Sequence, residues 1–552
     1  MDRIKHIFSW DVDALMFNQL NFWIFFLAVL VLFSMVHQTK WVRSLFLTVV
    51  SLFFYYKTSG LSVVILGGSL VINYALARQI DLSASKWCRK SVLTFGVLFN
   101  ILILAYFKYA YFFTESFNEM FRTNYEVFNV WSLWKSGFST AGSSVVEKII
   151  VPAGVSFFTF TSIGYLVDVQ RKEVKSIRNF FDFTLFLTFF PHIILGPIAK
   201  AKEFVPQIEA PYQLDKTDFS WAIAQIVKGL VKKLILADYI AVHFINKVVD
   251  QPEDYPGFVS VVAMWGYSLQ IYGDFSGYID MARGISRLMG FKLMKNFNSP
   301  YKAINVADFW RRWHIALGSW WRNYLYIPLG GNKTGGFGTY AGITIIVLFL
   351  VFITQWYELI FIYIGTMAVY LIGMLIFPGI KKYVHRDLNL LITMIVGGLW
   401  HNPEQNFVIW GAMNGLALVL FNHWKKISPY ENSTRWIAHA WKIFLTFNFI
   451  TFTRIWFRLT EDHQPMEMLN HIWKKFDFSA QAFGQMCYTF APALIVIVLG
   501  MIVHWLPTRW KDRTLTIFTG WHVVVQMLAV AVTVFLTYQL ISEVSKPVYF
   551  VF

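Results

Sequence analysis

Two histidines stand where an imidazole is costly. His401 ends the run Ile395-Val-Gly-Gly-Leu-Trp-His401, which closes an apolar stretch beginning near Leu388. His314 lies inside Asp308-Phe-Trp-Arg-Arg-Trp-His-Ile-Ala-Leu-Gly-Ser-Trp-Trp-Arg322. A titratable ring at membrane depth must be paired or must face a wet cavity, so each is a functional-site hypothesis by default. A neutral imidazole in a low-dielectric passage can take a proton from an alcohol and return it to a leaving group. Without a second argument, either ring could equally be held by a backbone carbonyl or a carboxylate.

The setting of these rings follows from composition. The chain has 552 residues, is 56% hydrophobic and 19% aromatic, and only 14% charged; its mean hydropathy is +0.49. Soluble domains carry about 25% charge. The expected fold class is therefore an all-α polytopic integral membrane protein. A window reading gives about eleven to fourteen membrane-embedded helices, some tilted or re-entrant because their apolar runs are short. The net charge of +16 suits basic loops on the cytoplasmic side better than nucleic-acid binding. The loops His37–Arg43 and Arg78–Lys90 are basic, whereas Lys57-Thr-Ser-Gly60 is nearly neutral. This alternation puts the first two inside and the amino terminus outside, although Asp2-Arg3-Ile4-Lys5-His6 fits poorly. A multi-pass protein of a bacterial cytoplasmic membrane is expected, with the lipid bilayer as partner and no nucleic acid.

Other chemistries lack a pattern. Cys88 and Cys487 give neither metal-ligand spacing nor a disulfide framework. No His-Glu-x-x-His or Gly-x-Ser-x-Gly occurs. Gly330-Gly-Asn-Lys-Thr-Gly-Gly336 lacks the ending of a phosphate loop and is expected to be a turn with positive φ values.

Pro403, just after His401, suggests a hairpin within the membrane or a broken helix, and Gly397 and Gly398 permit close helix approach. Read as one helix over 309–326, Arg311, His314, Gly318 and Arg322 fall within about 80° of each other, with Trp313 and Trp320 opposite. That face offers two guanidiniums and an imidazole. It suits anionic headgroups, or the phosphates of a donor.

At these residues the chain resembles a known family. Phe309 to Asn332 is similar to the signature of the membrane-bound O-acyltransferase (MBOAT) family, in particular its bacterial branch containing the alginate O-acetyltransferase membrane subunit. Supporting motifs run in order: Pro152 to Phe160, Tyr165 to Asp168, Pro191 to Pro197, Asp274 to Ala282, Asn296 to Tyr301, Gly398-Leu-Trp-His401 and Trp456-Phe-Arg458. The resemblance implies a ring of tilted helices around a thin centre pierced by a tunnel. It implies N-terminal transmembrane helices over 1–144, a catalytic core over 145–460 and C-terminal transmembrane helices over 461–552. It implies that His401 is the catalytic histidine and that His314 occupies the second motif position. Arg311, Arg322, Trp313, Asp274, Trp400 and Asn414 become candidates for holding substrate.

The implied activity moves an acetyl group from cytosolic acetyl-CoA, a substrate rather than a bound cofactor, toward a surface polysaccharide. A periplasmic or membrane-anchored acetyltransferase partner would finish the transfer. Two alternatives stand beside it: a carrier-protein-dependent D-alanyl transferase to cell-wall polymer, and a transporter or flippase of an acylated lipid. The chain departs from the pattern in three places. Asn402 stands where glycine is common, Asn414 where a second histidine is often seen, and the segment between the two histidines carries an extra apolar pair near 339–378.

Overall fold

The computed structural model describes residues 7, 9, 12–130 and 149–539. The amino-terminal Asp2 to His6 and the boundary expected at 144/145 lie outside them. Among the described residues the regular secondary structure is all helical, with no strand. In chain order the helices are α1 (Leu20–Val36), α2 (Lys40–Ser59), α3 (Ser62–Leu82), α4 (Lys86–Leu104), α5 (Ala110–Phe121), α6 (Val155–Gln170), α7 (Phe180–Thr188), α8 (Ala201–Glu209), α9 (Lys216–Val231), α10 (Asn246–Asp250), α11 (Gly257–Leu288) and α12 (Val306–Arg312). They continue as α13 (Ile315–Trp321), α14 (Phe337–Thr354), α15 (Glu358–Ile376), α16 (Ile380–His401), α17 (Gln405–Trp424), α18 (Trp436–Thr453), α19 (Ile455–Arg458), α20 (Gln464–Lys474), α21 (Ala480–Trp505), α22 (Thr508–Gly520) and α23 (Val523–Gln539).

The described residues contain six helical segments long and apolar enough to cross a bilayer: α3, α4 with α5, α14, α15, α17 and α21. Two shorter apolar helices, α1 and α23, join them. The protein is thus an integral membrane protein, as its composition requires. Other long helices, such as α11, carry polar residues because they face protein rather than lipid. α11 has 32 residues and is buried along most of its length.

Small residues let the central helices touch backbone to backbone. A Cβ on Gly229 of α9 would meet the Gly277 carbonyl of α11 at 2.5 Å, and one on Gly284 would meet the Ala222 carbonyl at 2.6 Å. The same device closes the α16–α17 hairpin. A Cβ on Gly398 would lie 2.2 Å from the Phe407 carbonyl, and one on Gly411 2.5 Å from the Met394 carbonyl. Pro403 sits in the short link between these helices, which fits the expected hairpin. Gly397 faces elsewhere, with Trp321 nearest at 3.8 Å.

One expectation fails. The 309–326 segment is two short helices, not one. α12 ends at Arg312, Trp313 is extended, and His314 is left-handed at φ 48°, ψ 53°. The cause lies in the preceding loop. The Asn296 backbone carbonyl accepts from the Ile315 N–H at 3.0 Å, and its side-chain oxygen accepts from the Ala316 N–H at 2.9 Å. The Asn298 N–H reaches the Arg312 carbonyl at 2.9 Å. These bonds satisfy backbone groups that a continuing helix would have paired internally. Arg311, His314, Gly318 and Arg322 therefore share no helical face. The glycine loop behaves as expected, with φ of 119° at Gly330 and 56° at Gly331.

The hairpin contact gives a direct test. Gly398→Leu has no room without separating α16 from α17, and overpacking of this kind costs about 1–3 kcal/mol or more. A lowered thermal unfolding midpoint in detergent is expected, whereas Gly365→Leu, on open space in α15, leaves it unchanged.

Candidate active site

His401 is the last residue of α16 and His314 the joint between α12 and α13. The chain brings them together through Trp400. The Trp400 ring lies 6.4 Å from the His314 ring and 4.7 Å from the His401 ring, and the two imidazoles are close enough to interact electrostatically. Both are buried, at 2% and 6% exposure. His401 is further enclosed by Trp410 at 5.2 Å and Phe457 at 5.3 Å. Phe275 packs edge-on against His314 at 4.8 Å. Neither nitrogen of His314 hydrogen-bonds another described residue. A buried polar group left so needs a reason.

Narrow clefts reach this ring layer from different neighbours. One, enclosing about 280 Å³ with open solvent included, is lined by Trp310, Trp313, Trp410, Asn414, Arg454 and Phe457 among others. Another, of about 270 Å³ counted the same way, is lined by Phe160, Asp168, Lys200, Trp320 and Tyr324 among others. Phe160 stacks on Trp320 at 4.0 Å and on Trp400 at 5.5 Å. The histidine pair thus sits in an aromatic layer approached by both clefts.

The expected substrate-holding residues divide. Trp400 touches both histidines. Trp313 and Asn414 line the first cleft, and the Asn414 oxygen is buried without a hydrogen-bond partner among the described residues. Trp313 and Trp320 face protein, not lipid. Asp274 is withdrawn into a buried ion triad. Lys233 bonds Asp274 at 2.6 Å and Asp238 at 2.8 Å, with all three side chains at most 4% exposed. Arg311 is 72% exposed and pairs with Asp308 at 3.3 Å. Arg322 is exposed at the end of α13.

Lys108 is a site residue that the sequence pattern did not reveal. A π turn at Ala105–Tyr109 links α4 to α5, and π turns recur at functional sites. Its Lys108 ammonium donates to the Trp400 carbonyl at 2.6 Å and to the His401 carbonyl at 2.7 Å. The Tyr109 hydroxyl donates to the Leu399 carbonyl at 2.9 Å. Together they cap the end of α16, where orphan carbonyls and the negative end of the helix dipole favour a cation. The only local signal was a lone Lys in an otherwise apolar span.

Residues 83–387, more than half of the chain, match the MBOAT, membrane-bound O-acyltransferase family. The chain belongs to that family. The matched segment contains His314 and ends before His401. Among curated relatives, the chain is 32% identical over 388 residues to a probable alginate O-acetylase of Pseudomonas aeruginosa, covering 68% of this chain and 60% of the relative. It is 32% identical over 451 residues to a peptidoglycan O-acetyltransferase of Helicobacter pylori, covering 77% and 72%. It is 26% identical over 319 residues to a teichoic acid D-alanyltransferase of Bacillus subtilis, covering 55% and 68%.

Lys108→Met would leave the carbonyls beside His401 without their donor. A buried unsatisfied acceptor costs about 1–3 kcal/mol. The expected result is a lower thermal midpoint for the methionine variant, with partial recovery in Lys108→Arg. Equal stability of Lys108→Met and the parent would refute the cap.

Proposed function

We propose that this protein is an O-acyltransferase that takes an acetyl group from cytosolic acetyl-CoA and delivers it toward a polysaccharide at the cell surface or in the periplasm. The observation that carries this reading is the pair of buried imidazoles, His314 and His401, sharing Trp400 in a ring layer that two clefts approach. Family membership and the two relatives named as O-acetylating enzymes support it.

The chemistry assigned to these residues is short. His401 takes the proton of an incoming hydroxyl. The hydroxyl oxygen attacks the thioester carbonyl, a C–O bond forms, the C–S bond breaks, and the proton passes to the departing thiolate. His314 positions a reactant or steadies developing charge beside it. Lys108 does not touch the reacting atoms; it fixes the backbone that carries His401. The thioester supplies the driving force, so no nucleotide hydrolysis is required. Passage of substrate to His401 requires Trp410 and Phe457 to part, because both rings lie against it. A bacterial cytoplasmic membrane and a periplasmic or membrane-anchored acetyltransferase partner complete the proposal.

The D-alanyl reading is kept by the Bacillus relative; the relatives of higher identity are O-acetylating ones. Labelled acetyl-CoA incubated with membranes separates the two. The parent is expected to move label into polymer or into a co-purifying protein, and His401→Ala to lose roughly 10²–10⁴-fold of that rate, the usual contribution of a general base. Equal incorporation by both forms removes His401 from the mechanism. Transfer from a carrier-bound D-alanine but not from acetyl-CoA establishes the other activity.

A further inference from the structure

Three polar groups in the first cleft have no part in the chemistry above. Arg454 sits at the joint between α18 and α19 and is 4% exposed. Its guanidinium lies over the Trp313 ring at 4.7 Å and the Tyr301 ring at 5.3 Å. Both of its hydrogen bonds among the described residues leave from one nitrogen. Nη1 donates to the Tyr301 hydroxyl at 2.6 Å and to the Ser268 carbonyl at 3.3 Å. No carboxylate among the described residues pairs with it. A charge taken out of water is ordinarily matched by an opposite one, because its desolvation is otherwise unrepaid.

The other two groups are neutral. Asn414 is fully buried. Its Nδ2 donates to the Trp410 carbonyl one turn back at 2.9 Å, which orients the amide and leaves Oδ1 with no donor among the described residues. The Trp310 indole N–H likewise has no acceptor among them. All three groups line the same cleft, beside Trp313, Trp410 and Phe457. Its volume, about 280 Å³ with open solvent included, falls below the roughly 300–1,000 Å³ of sites for drug-sized ligands, so an occupant has only a few heavy atoms. His401 does not line it. Trp410 and Phe457 touch both: each packs against the His401 ring and each also borders the cleft.

We infer that this cleft binds a small carboxylate that also carries a hydroxyl, and that its occupant holds the passage to His401 shut. The carboxylate matches the guanidinium of Arg454 and accepts from the Trp310 indole N–H. The hydroxyl donates to Asn414 Oδ1. Each of the three groups is then met. A bare inorganic anion would answer Arg454 and Trp310 but leave the Asn414 oxygen without a donor. A neutral alcohol or amide would leave the charge unmatched. The cleft is also the space beside Trp410 and Phe457 into which those rings can part. Once it is filled they have no room to move, because protein interiors are close-packed. The lock rests on the acyl-transfer reading of His401; the binding does not.

The test uses full-length protein in neutral detergent and glycolate as probe. Acetate, which lacks the hydroxyl, and glycolamide, which lacks the charge, run beside it. Affinity is read by saturation-transfer NMR on the ligand protons. The parent is expected to bind glycolate about three- to tenfold more tightly than acetate, the worth of one neutral hydrogen bond. Its preference over glycolamide should be about tenfold or more, since a charge-assisted bond is stronger. Asn414→Leu should erase the preference over acetate, and Arg454→Gln the preference over glycolamide. Should Arg454→Gln misfold, Trp310→Phe, which keeps an aromatic ring without the N–H, is expected to weaken glycolate about three- to tenfold. At saturation glycolate is expected to suppress label transfer from acetyl-CoA by the parent. Equal binding of the three probes, or glycolate affinity unchanged in both Arg454→Gln and Trp310→Phe, overturns the inference. Binding with these preferences but no effect on transfer overturns the lock and keeps the site. If His401→Ala transfers label as the parent does while the preferences hold, the proposed reaction fails and the binding site stands.

Discussion

An ammonium group on the end of a helix holds the candidate site in place. α16 must stop at His401, because only there can the imidazole meet Trp400, Trp410, Phe457 and the His314 side of the core. Stopping a helix away from water leaves carbonyls that need donors, and these cannot be left bare in lipid. Lys108 and Tyr109 supply them from a helix remote in sequence. The α16–α17 hairpin, closed at Gly398 and Gly411, then has one defined end. The second histidine is placed by the same logic. Asn296 satisfies the N–H groups opened by the break at His314 and so holds a strained backbone in register.

Much of this was legible in the residues themselves. The membrane setting followed from charge and apolar content, the hairpin from Pro403 and Gly398, and the turn at Gly330 from its glycines. The ordered motifs from Pro152 to Arg458 pointed to the family that residues 83–387 match. What the sequence hid has a common cause. Local periodicity continues a helix through Trp313 and His314, and only a long-range partner, Asn296, breaks it. Lys108 reads as an isolated charge in a span, and only the π turn and the distant α16 give it a purpose. Asp274 reads as a site carboxylate within its motif, yet Lys233 draws it into a closed triad. Each case is a tertiary contact overriding a local pattern, which a single chain without a fold cannot display.

Charge is sorted within the molecule by whether it is matched. Lys233 with Asp238 and Asp274 is buried and tied to carboxylates, so it serves cohesion between the α9 end and α11. A few residues away, Lys228 and Lys232 share the single Asp280. Adjacent positions on one helix end therefore fall into different electrostatic regimes. One is a packed ion triad, the other a partly exposed group in which two lysines share one carboxylate.

α15, half of the extra apolar pair, contributes no buried residue at all. One side of it bonds its neighbours, Tyr363 to Thr344 and Tyr370 to Tyr340 and His385, and the rest meets hydrocarbon. Away from those two tyrosines its side chains need only be apolar and its length sufficient to span. Such a segment is free to drift in sequence while the core stays fixed, and among related chains it would be the place where identity fades first without loss of architecture.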